Sequence, residues 1–173
     1  MTVRYYDFYE SPHGRMLLVA SEDGLTGVYF EGQKYHPQLE AGWRHDAHHA
    51  PLRQVTRELG EYFGGERKRF ETALAPEGTP FQRTVWKAIS TVGFGKTITY
   101  GELAQRAGYP GAARAVGAAT GRNPIGIIVP CHRIVGSDGS LTGYAGGLER
   151  KRALLTLEGA TAESRTADLL PAA

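Results

Sequence analysis

The chain of 173 residues contains one cysteine, Cys131, and this count limits the folds that are open to it. One cysteine excludes a disulfide framework and any zinc site built from several cysteines, so an ordinary hydrophobic core must hold the fold. The length suits one domain or two small ones. A lone thiol fits a reducing compartment, and no early stretch is apolar enough for a secretion signal or membrane span. We therefore expect a cytoplasmic protein with no membrane partner.

Cys131 follows the apolar run 127–129 and Pro130, and His132 and Arg133 come directly after it. The apolar run predicts a buried strand that ends at the proline. Most free cysteines are small buried hydrophobes. Adjacent cationic side chains raise the fraction of thiolate, which is the reactive form. The flanking charges and the strand-end position therefore favour a nucleophile over a packing residue.

Charge and composition divide the chain. Residues 1–76 carry nine Lys and Arg against eleven Asp and Glu, whereas residues 77–160 carry ten against five. A basic half is typical of proteins with a polyanionic partner, although ordinary solvated surface charge is the alternative. The turn-forming segment 75–78 predicts a linker. We therefore expect an N-terminal α/β support domain at 1–76, an active domain at 79–160 and a disordered tail at 161–173.

The N-terminal half predicts a small antiparallel sheet with one helix. Strand-like segments at 4–9, 16–20 and 27–30 are separated by turn residues, and 36–50 is predicted to be a loop. Helical spacing of apolar residues follows from Leu52 to Tyr62 and stops at a Gly-Gly pair. The loop carries His45, His48 and His49, but scattered loop histidines seldom form a metal site, and we expect no metal.

The C-terminal half predicts a helix-turn-helix. A helix begins at Thr79-Pro80, and two short helices at 100–107 and 112–120 are joined by a glycine-containing turn. The second is lined with small residues, which allow close approach either to a ligand or to a neighbouring helix; Arg114 favours the ligand. The turn 136–140 predicts a wing. The fold class is thus α/β (α+β), with a C-terminal winged helix-turn-helix domain.

The segment Pro130-Cys131-His132-Arg133, preceded by Asn123-Pro124 and followed by the Tyr-Ala-Gly-Gly-Leu string 144–148, resembles the O6-alkylguanine-DNA alkyltransferase family over residues 79–159. The resemblance implies a direct-reversal DNA repair protein that extrudes O6-alkylguanine, mainly O6-methylguanine, with O4-alkylthymine as a further substrate. The alkyl group passes irreversibly to Cys131, so each molecule acts once and needs no cofactor.

The resemblance also implies a role for each site residue. Glu158 orients His132, which deprotonates Cys131 through a water molecule. Asn123 supports the turn at the cysteine, and Tyr100 protonates the leaving guanine. Arg114 enters the base stack in place of the extruded nucleotide. The remaining family positions lie at the DNA or over the base: Ala112 and Ala113 in the minor groove, Ser137 at a phosphate, and Tyr144 and Ala145 as a lid.

The implied partner is double-stranded DNA, bound through its minor groove as a monomer with low sequence specificity; cooperative binding along DNA is left open. Three other functions use the same residues. A cysteine hydrolase would pair Cys131 with a histidine, and a cofactor-dependent cytosine methyltransferase would also use a Pro-Cys nucleophile. A non-catalytic damage sensor would keep the DNA-binding elements alone. Adjacent residues rarely form a nucleophile–base pair directly, and no second loop supplies an obvious oxyanion hole, which argues against the hydrolase. The short chain and the absence of a glycine-rich nucleotide loop argue against the cytosine methyltransferase, and the presence of Cys131, His132 and Glu158 argues against the sensor.

Overall fold

The computed structural model describes residues 3–160, so the predicted tail at 161–173 lies outside the described residues. Within them the chain forms two compact units. The first unit extends to Glu77 and also includes Pro124–Gly126, and the second contains Gly78–Asn123 and resumes at Ile127. No helix among the described residues is long and apolar enough to cross a membrane.

The first unit is a four-stranded sheet with one helix. Strands β1 (Arg4–Ser11), β2 (Gly14–Ala20) and β3 (Leu25–Phe30) form the predicted antiparallel meander in the order β3-β2-β1. Helix α1 (Ala50–Phe63) packs on β1 and β2. Its buried apolar residues are those of the predicted stripe: Leu52, Val55, Leu59 and Tyr62.

The predicted loop at 36–50 contains a fourth strand. Strand β4 (Trp43–His45) pairs in parallel with β1, and His45 Nε2 lies 2.9 Å from Asp7 Oδ1 of that strand. Three residues are too few to show an alternating pattern, so the sequence did not reveal this strand. It forms because the edge of β1 offers it hydrogen bonds. The neighbouring His49 stacks on Tyr5.

The second unit is mainly helical. Helix α2 (Pro80–Ile89) begins at the predicted Thr79-Pro80, and Thr79 forms a reciprocal capping box with Gln82. Helices α3 (Tyr100–Arg106) and α4 (Ala113–Gly121) are joined by the glycine-containing turn, in which Gly108 and Gly111 have positive φ. The C-terminal helix α5 is Leu148–Leu157.

The segment around the cysteine differs from the predicted strand. Residues 127–129 are largely buried but unpaired as a strand, and Cys131–Arg133 form one turn of 3-10 helix. Strand β6 (Ile134–Val135) follows and pairs in parallel with β5 (Ile98–Thr99). Ile127 has φ +70°, an unusual value for a β-branched residue that interrupts the extended backbone. Apolar periodicity cannot detect such a reversal, because burial persists through it.

Candidate active site

Cys131 is the first residue of the 3-10 turn, and the residue as a whole is only 7% exposed. Its backbone N–H donates to the Val129 carbonyl at 2.8 Å. Asn123 bridges the same two residues: its Nδ2 donates to the Val129 carbonyl at 2.9 Å and to Cys131 Sγ at 3.2 Å. One buried amide therefore supports the turn and points a donor at the sulfur.

His132 is fully buried and is joined to Glu158 at the C-terminal end of α5. His132 Nε2 lies 2.7 Å from Glu158 Oε2, and His132 Nδ1 is buried without a hydrogen-bond partner among residues 3–160. Arg133 donates to both oxygens of the same carboxylate, from Nε at 2.8 Å and from a terminal nitrogen at 3.0 Å. Glu158 therefore positions two consecutive residues directly after the cysteine.

The site rests with an uncharged thiol beside an uncharged imidazole. Burial raises the pKa of Cys131, although the Asn123 hydrogen bond and the charge of Lys151 oppose it. Burial also lowers the pKa of His132 against the opposing effect of Glu158. Burial would raise the pKa of Glu158, but His132 and Arg133 outweigh it and hold that pKa well below its usual range. A proton that moves from the thiol to the imidazole would thus create a cation beside a permanent carboxylate.

Tyr100 is the first residue of α3 and lies at one side of this cluster. Thr99 caps the helix through a second capping box, with Glu102 as its partner. The Tyr100 ring packs beside Gly117 of α4, where an added Cβ would make an ordinary van der Waals contact with the ring at 3.7 Å. The Tyr100 hydroxyl donates to the Thr142 carbonyl at 3.3 Å. Burial raises the pKa of Tyr100, which therefore keeps its proton at neutral pH.

Tyr144 and Ala145 are half-buried and lie in the segment between β6 and α5. Burial raises the pKa of Tyr144 well above its ordinary value, and the negative charge of an ionised Cys131 raises it further. The hydrogen bond from the Tyr100 hydroxyl to the Thr142 carbonyl connects the start of the 142–145 segment to the cluster. Ser137, in contrast, is exposed in the preceding turn, which a hydrogen bond from the Gly136 N–H to the Ser140 carbonyl closes at 2.9 Å.

Some of the small residues of helix α4 are buried against neighbouring helices, and others are exposed to solvent. Its buried face packs on α2, where the Trp86 indole N–H donates to the Ala119 carbonyl at 2.8 Å. Arg114 is exposed, and Ala112 and Ala113 at the start of the helix are half-buried. The packing interpretation of the small residues therefore holds for the buried face, whereas close approach of the exposed face to a ligand stays a prediction. The exposed face has no bulky side chain other than Arg114 and suits close approach to an extended surface.

Two family models together match most of the chain. The model described as 6-O-methylguanine DNA methyltransferase, DNA binding domain, matches residues 80–160. The model of the ribonuclease-like domain of the same protein matches residues 4–76. The chain belongs to the 6-O-methylguanine DNA methyltransferase family. The predicted family is confirmed, and with it the family's activity, DNA repair by alkyl transfer to a cysteine.

Individual members of the methyltransferase family agree along nearly the whole chain. The methylated-DNA–protein-cysteine methyltransferase of Methanosarcina acetivorans is 49% identical over 155 residues, 90% of this chain and 98% of that protein. The enzyme of the same name from Haemophilus influenzae is 48% identical over 91% of this chain and 88% of that protein.

Solved structures of the methyltransferase family share the fold. The Mycobacterium tuberculosis O6-methylguanine methyltransferase has a TM-score of 0.81 at 46% identity, covering 90% of this chain and 93% of that one. Mycobacterium tuberculosis OGT in complex with DNA has a TM-score of 0.80 at 42% identity, over 96% and 97% of the two chains. The predicted α/β fold class is thus confirmed.

Sequence reasoning missed the buried cation Lys151 and the buried partners of Arg133. Arg133 is 7% exposed, and besides Glu158 it donates to the Val92 carbonyl at 2.7 Å. A charged residue directly before the apolar pair Ile134-Val135 was a signal that it needed a buried partner. Lys151 is fully buried, but it stands in the basic string 150–152, where nothing in the sequence distinguishes it from its exposed neighbour Arg152.

Proposed function

We propose that Cys131 is the alkyl acceptor and that it attacks an O6-alkylguanine extruded from double-stranded DNA. The bond from Sγ to the alkyl carbon forms as the bond from that carbon to O6 breaks. The thiol loses a proton and the leaving guanine gains one, so atoms and charge balance. Because the product is a stable thioether, each molecule reacts once. The buried contact between His132 and Glu158 beside the only thiol carries this proposal.

His132 acts as the general base in this reaction. Its Nε2 is engaged by Glu158, so its free Nδ1 is the atom that takes the proton of Cys131, through the water that the family resemblance implies. Deprotonation by a positioned base is needed because burial keeps the resting thiol protonated. The Glu158 carboxylate then stabilises the imidazolium. Asn123 donates to the sulfur and favours its anionic form.

Tyr100 supplies the proton that the leaving guanine needs at N3. Its hydroxyl must turn away from the Thr142 carbonyl to do so. The proton held by His132 then replaces the proton that Tyr100 has lost, which returns the site to neutrality. Tyr144 and Ala145 cover the base during the reaction.

The guanine reaches the thiol by leaving the base stack. The sulfur of a residue as buried as Cys131 cannot approach an alkyl group inside a duplex, whereas an extruded base can enter the site. The exposed face of α4, with Ala112 and Ala113 at its start, enters the minor groove, and Arg114 fills the place of the extruded nucleotide. Ser137 contacts a phosphate. Since these contacts involve mainly the DNA backbone, sequence specificity is low.

The test is intact-protein mass spectrometry after mixing with duplex DNA that contains one O6-methylguanine, followed by peptide mapping. We expect a gain of one methyl group on Cys131 that saturates at one per molecule. The Cys131→Ala variant should bind the same DNA and gain nothing. A repaired lesion with an unchanged protein mass would overturn the proposal, and an intact lesion on bound DNA would identify a sensor.

The remaining details belong to the same proposal. The protein acts as a monomer in the cytoplasm, uses no cofactor, and accepts O4-alkylthymine as a further substrate. Sedimentation on DNA of increasing length distinguishes independent from cooperative binding. The proposal of a monomer would be wrong if transfer from a duplex long enough for only one protein molecule required a second copy.

A further inference from the structure

Lys151 is a fully buried lysine on α5, in the same unit as the reactive cysteine. Buried lysines are rare unless they are paired. All three hydrogen bonds of the Lys151 ammonium within residues 3–160 go to backbone carbonyls. Its Nζ lies 2.6 Å from the carbonyl oxygen of Ile134, 2.8 Å from that of Thr142 and 3.3 Å from that of Gly143.

These carbonyls belong to two segments of the site. Ile134 begins β6, directly after the 3-10 turn that carries Cys131 and His132. Thr142 and Gly143 lead into the proposed lid. One ammonium therefore joins the strand behind the nucleophile to the segment that leads into the lid.

The Thr142 carbonyl has two donors, Lys151 Nζ and the Tyr100 hydroxyl. When Tyr100 turns its hydroxyl to the guanine, it gives up this bond. Since Lys151 is the closer donor, the carbonyl keeps a strong partner during that movement, which avoids the cost of an unpaired polar group.

We infer that Lys151 is a positioning residue of the transfer step, which holds the lid segment against β6 and frees the Tyr100 hydroxyl to reach the substrate. The inference rests on the proposed function. It also has an electrostatic consequence. Burial lowers the pKa of Lys151 to about 8, while the negative charge of an ionised Cys131 raises it, so the ammonium remains mostly protonated at neutral pH. Its charge lowers the pKa of Cys131 and of His132.

The first test compares Lys151→Met with Arg152→Met, a matched loss of charge at the exposed next residue. One readout is the rate of Cys131 modification by iodoacetamide across pH, which needs no DNA. The other is single-turnover methyl transfer from duplex DNA and from free O6-methylguanine, with DNA affinity measured alongside. A merely structural lysine would change the melting temperature but not the pH profile.

For Lys151→Met we expect the iodoacetamide profile to move to higher pH and transfer from both substrates to fall at least tenfold, with DNA affinity unchanged. A tenfold fall lies below the loss of about 100-fold that a misplacement of about 1 Å at the reacting groups can cause. Transfer rates and a pH profile equal to those of Arg152→Met would overturn the inference. If the wild-type protein itself transfers no methyl group, the proposed function fails instead.

Lys151→Arg separates charge from placement and serves as the deciding variant if Lys151→Met does not fold. A guanidinium keeps the charge but is planar and cannot place one nitrogen at three carbonyls. We expect a pH profile close to that of the wild type together with slower transfer. Wild-type transfer by Lys151→Arg would refute the positioning role.

Discussion

Replacement of Glu158 by glutamine tests the central contact of the site. The carboxylate accepts one hydrogen bond from His132 and two from Arg133, and all three residues are nearly or fully buried. A glutamine has one acceptor oxygen and no charge. At the Oε2 position that oxygen can still accept from His132 and from the terminal nitrogen of Arg133, but the bond at Oε1 is lost and the other two lose their charge. Hydrogen bonds to charged groups contribute about 1.5–3 kcal/mol each. Breaking a buried ion pair at one partner costs about 3–5 kcal/mol, which agrees with the loss of one such bond and the weakening of two.

We therefore expect Glu158→Gln to lower the free energy of unfolding by about 4 kcal/mol. For a chain of this length that loss corresponds to a fall in melting temperature of about 8–16 °C. The rate of methyl transfer should fall by about 100-fold or more, because the imidazolium of His132 loses its stabilising anion. Urea unfolding and single-turnover transfer at a temperature where the variant is folded measure the two effects separately.

The pH dependence gives the same prediction an internal check. His132 and Arg133 hold the pKa of Glu158 well below its usual range in the folded protein despite burial. Its stabilising effect is therefore fully present above the unfolded pKa of about 4.3 and is lost as the pH falls below it. The difference in stability between wild type and Glu158→Gln should shrink as the pH falls from 5 towards about 2. Glu149→Gln, an exposed change on the same helix, is the control. Equal stability of the two variants at neutral pH would refute the reasoning.

Three further substitutions test single features of the second unit. Asn123→Ala removes a hydrogen bond that lowers the pKa of Cys131, so iodoacetamide modification should move to higher pH; an unchanged profile contradicts this. Trp86→Phe removes the indole donor from the Ala119 carbonyl, which keeps the Arg122 N–H at 3.2 Å, and loss of this bond should cost about 0.5–1.5 kcal/mol in urea unfolding. A cost near zero would show that α2 and α4 do not depend on the bond. Gly95→Ala should destabilise more than Gly108→Ala: both glycines have positive φ, but only a Cβ at Gly95 would crowd neighbouring backbone, at 3.1 Å. Equal melting temperatures would contradict that difference.

Local sequence signals predicted much of the second unit. Thr79-Pro80 marked the start of α2, and the glycine-containing turn separated α3 from α4, because caps and turns depend on a few adjacent residues. The position of Cys131 between a proline and a histidine indicated reactivity for the same local reason. The family resemblance supplied the importance of Glu158, which no local pattern around that residue contains.

The sequence by itself therefore determined the division into an antiparallel-sheet half and a helix-turn-helix half and the family, and it predicted a reactive cysteine. Tertiary structure decided which charges are buried and what they contact. Lys151 and Arg152 are adjacent basic residues of one helix, yet only the first is buried against three carbonyls. Likewise, a carboxylate 25 residues away from Arg133 becomes its bidentate partner. Helical periodicity and turn propensity act over a few residues, whereas the pairing of a buried charge depends on the surfaces that packing brings together.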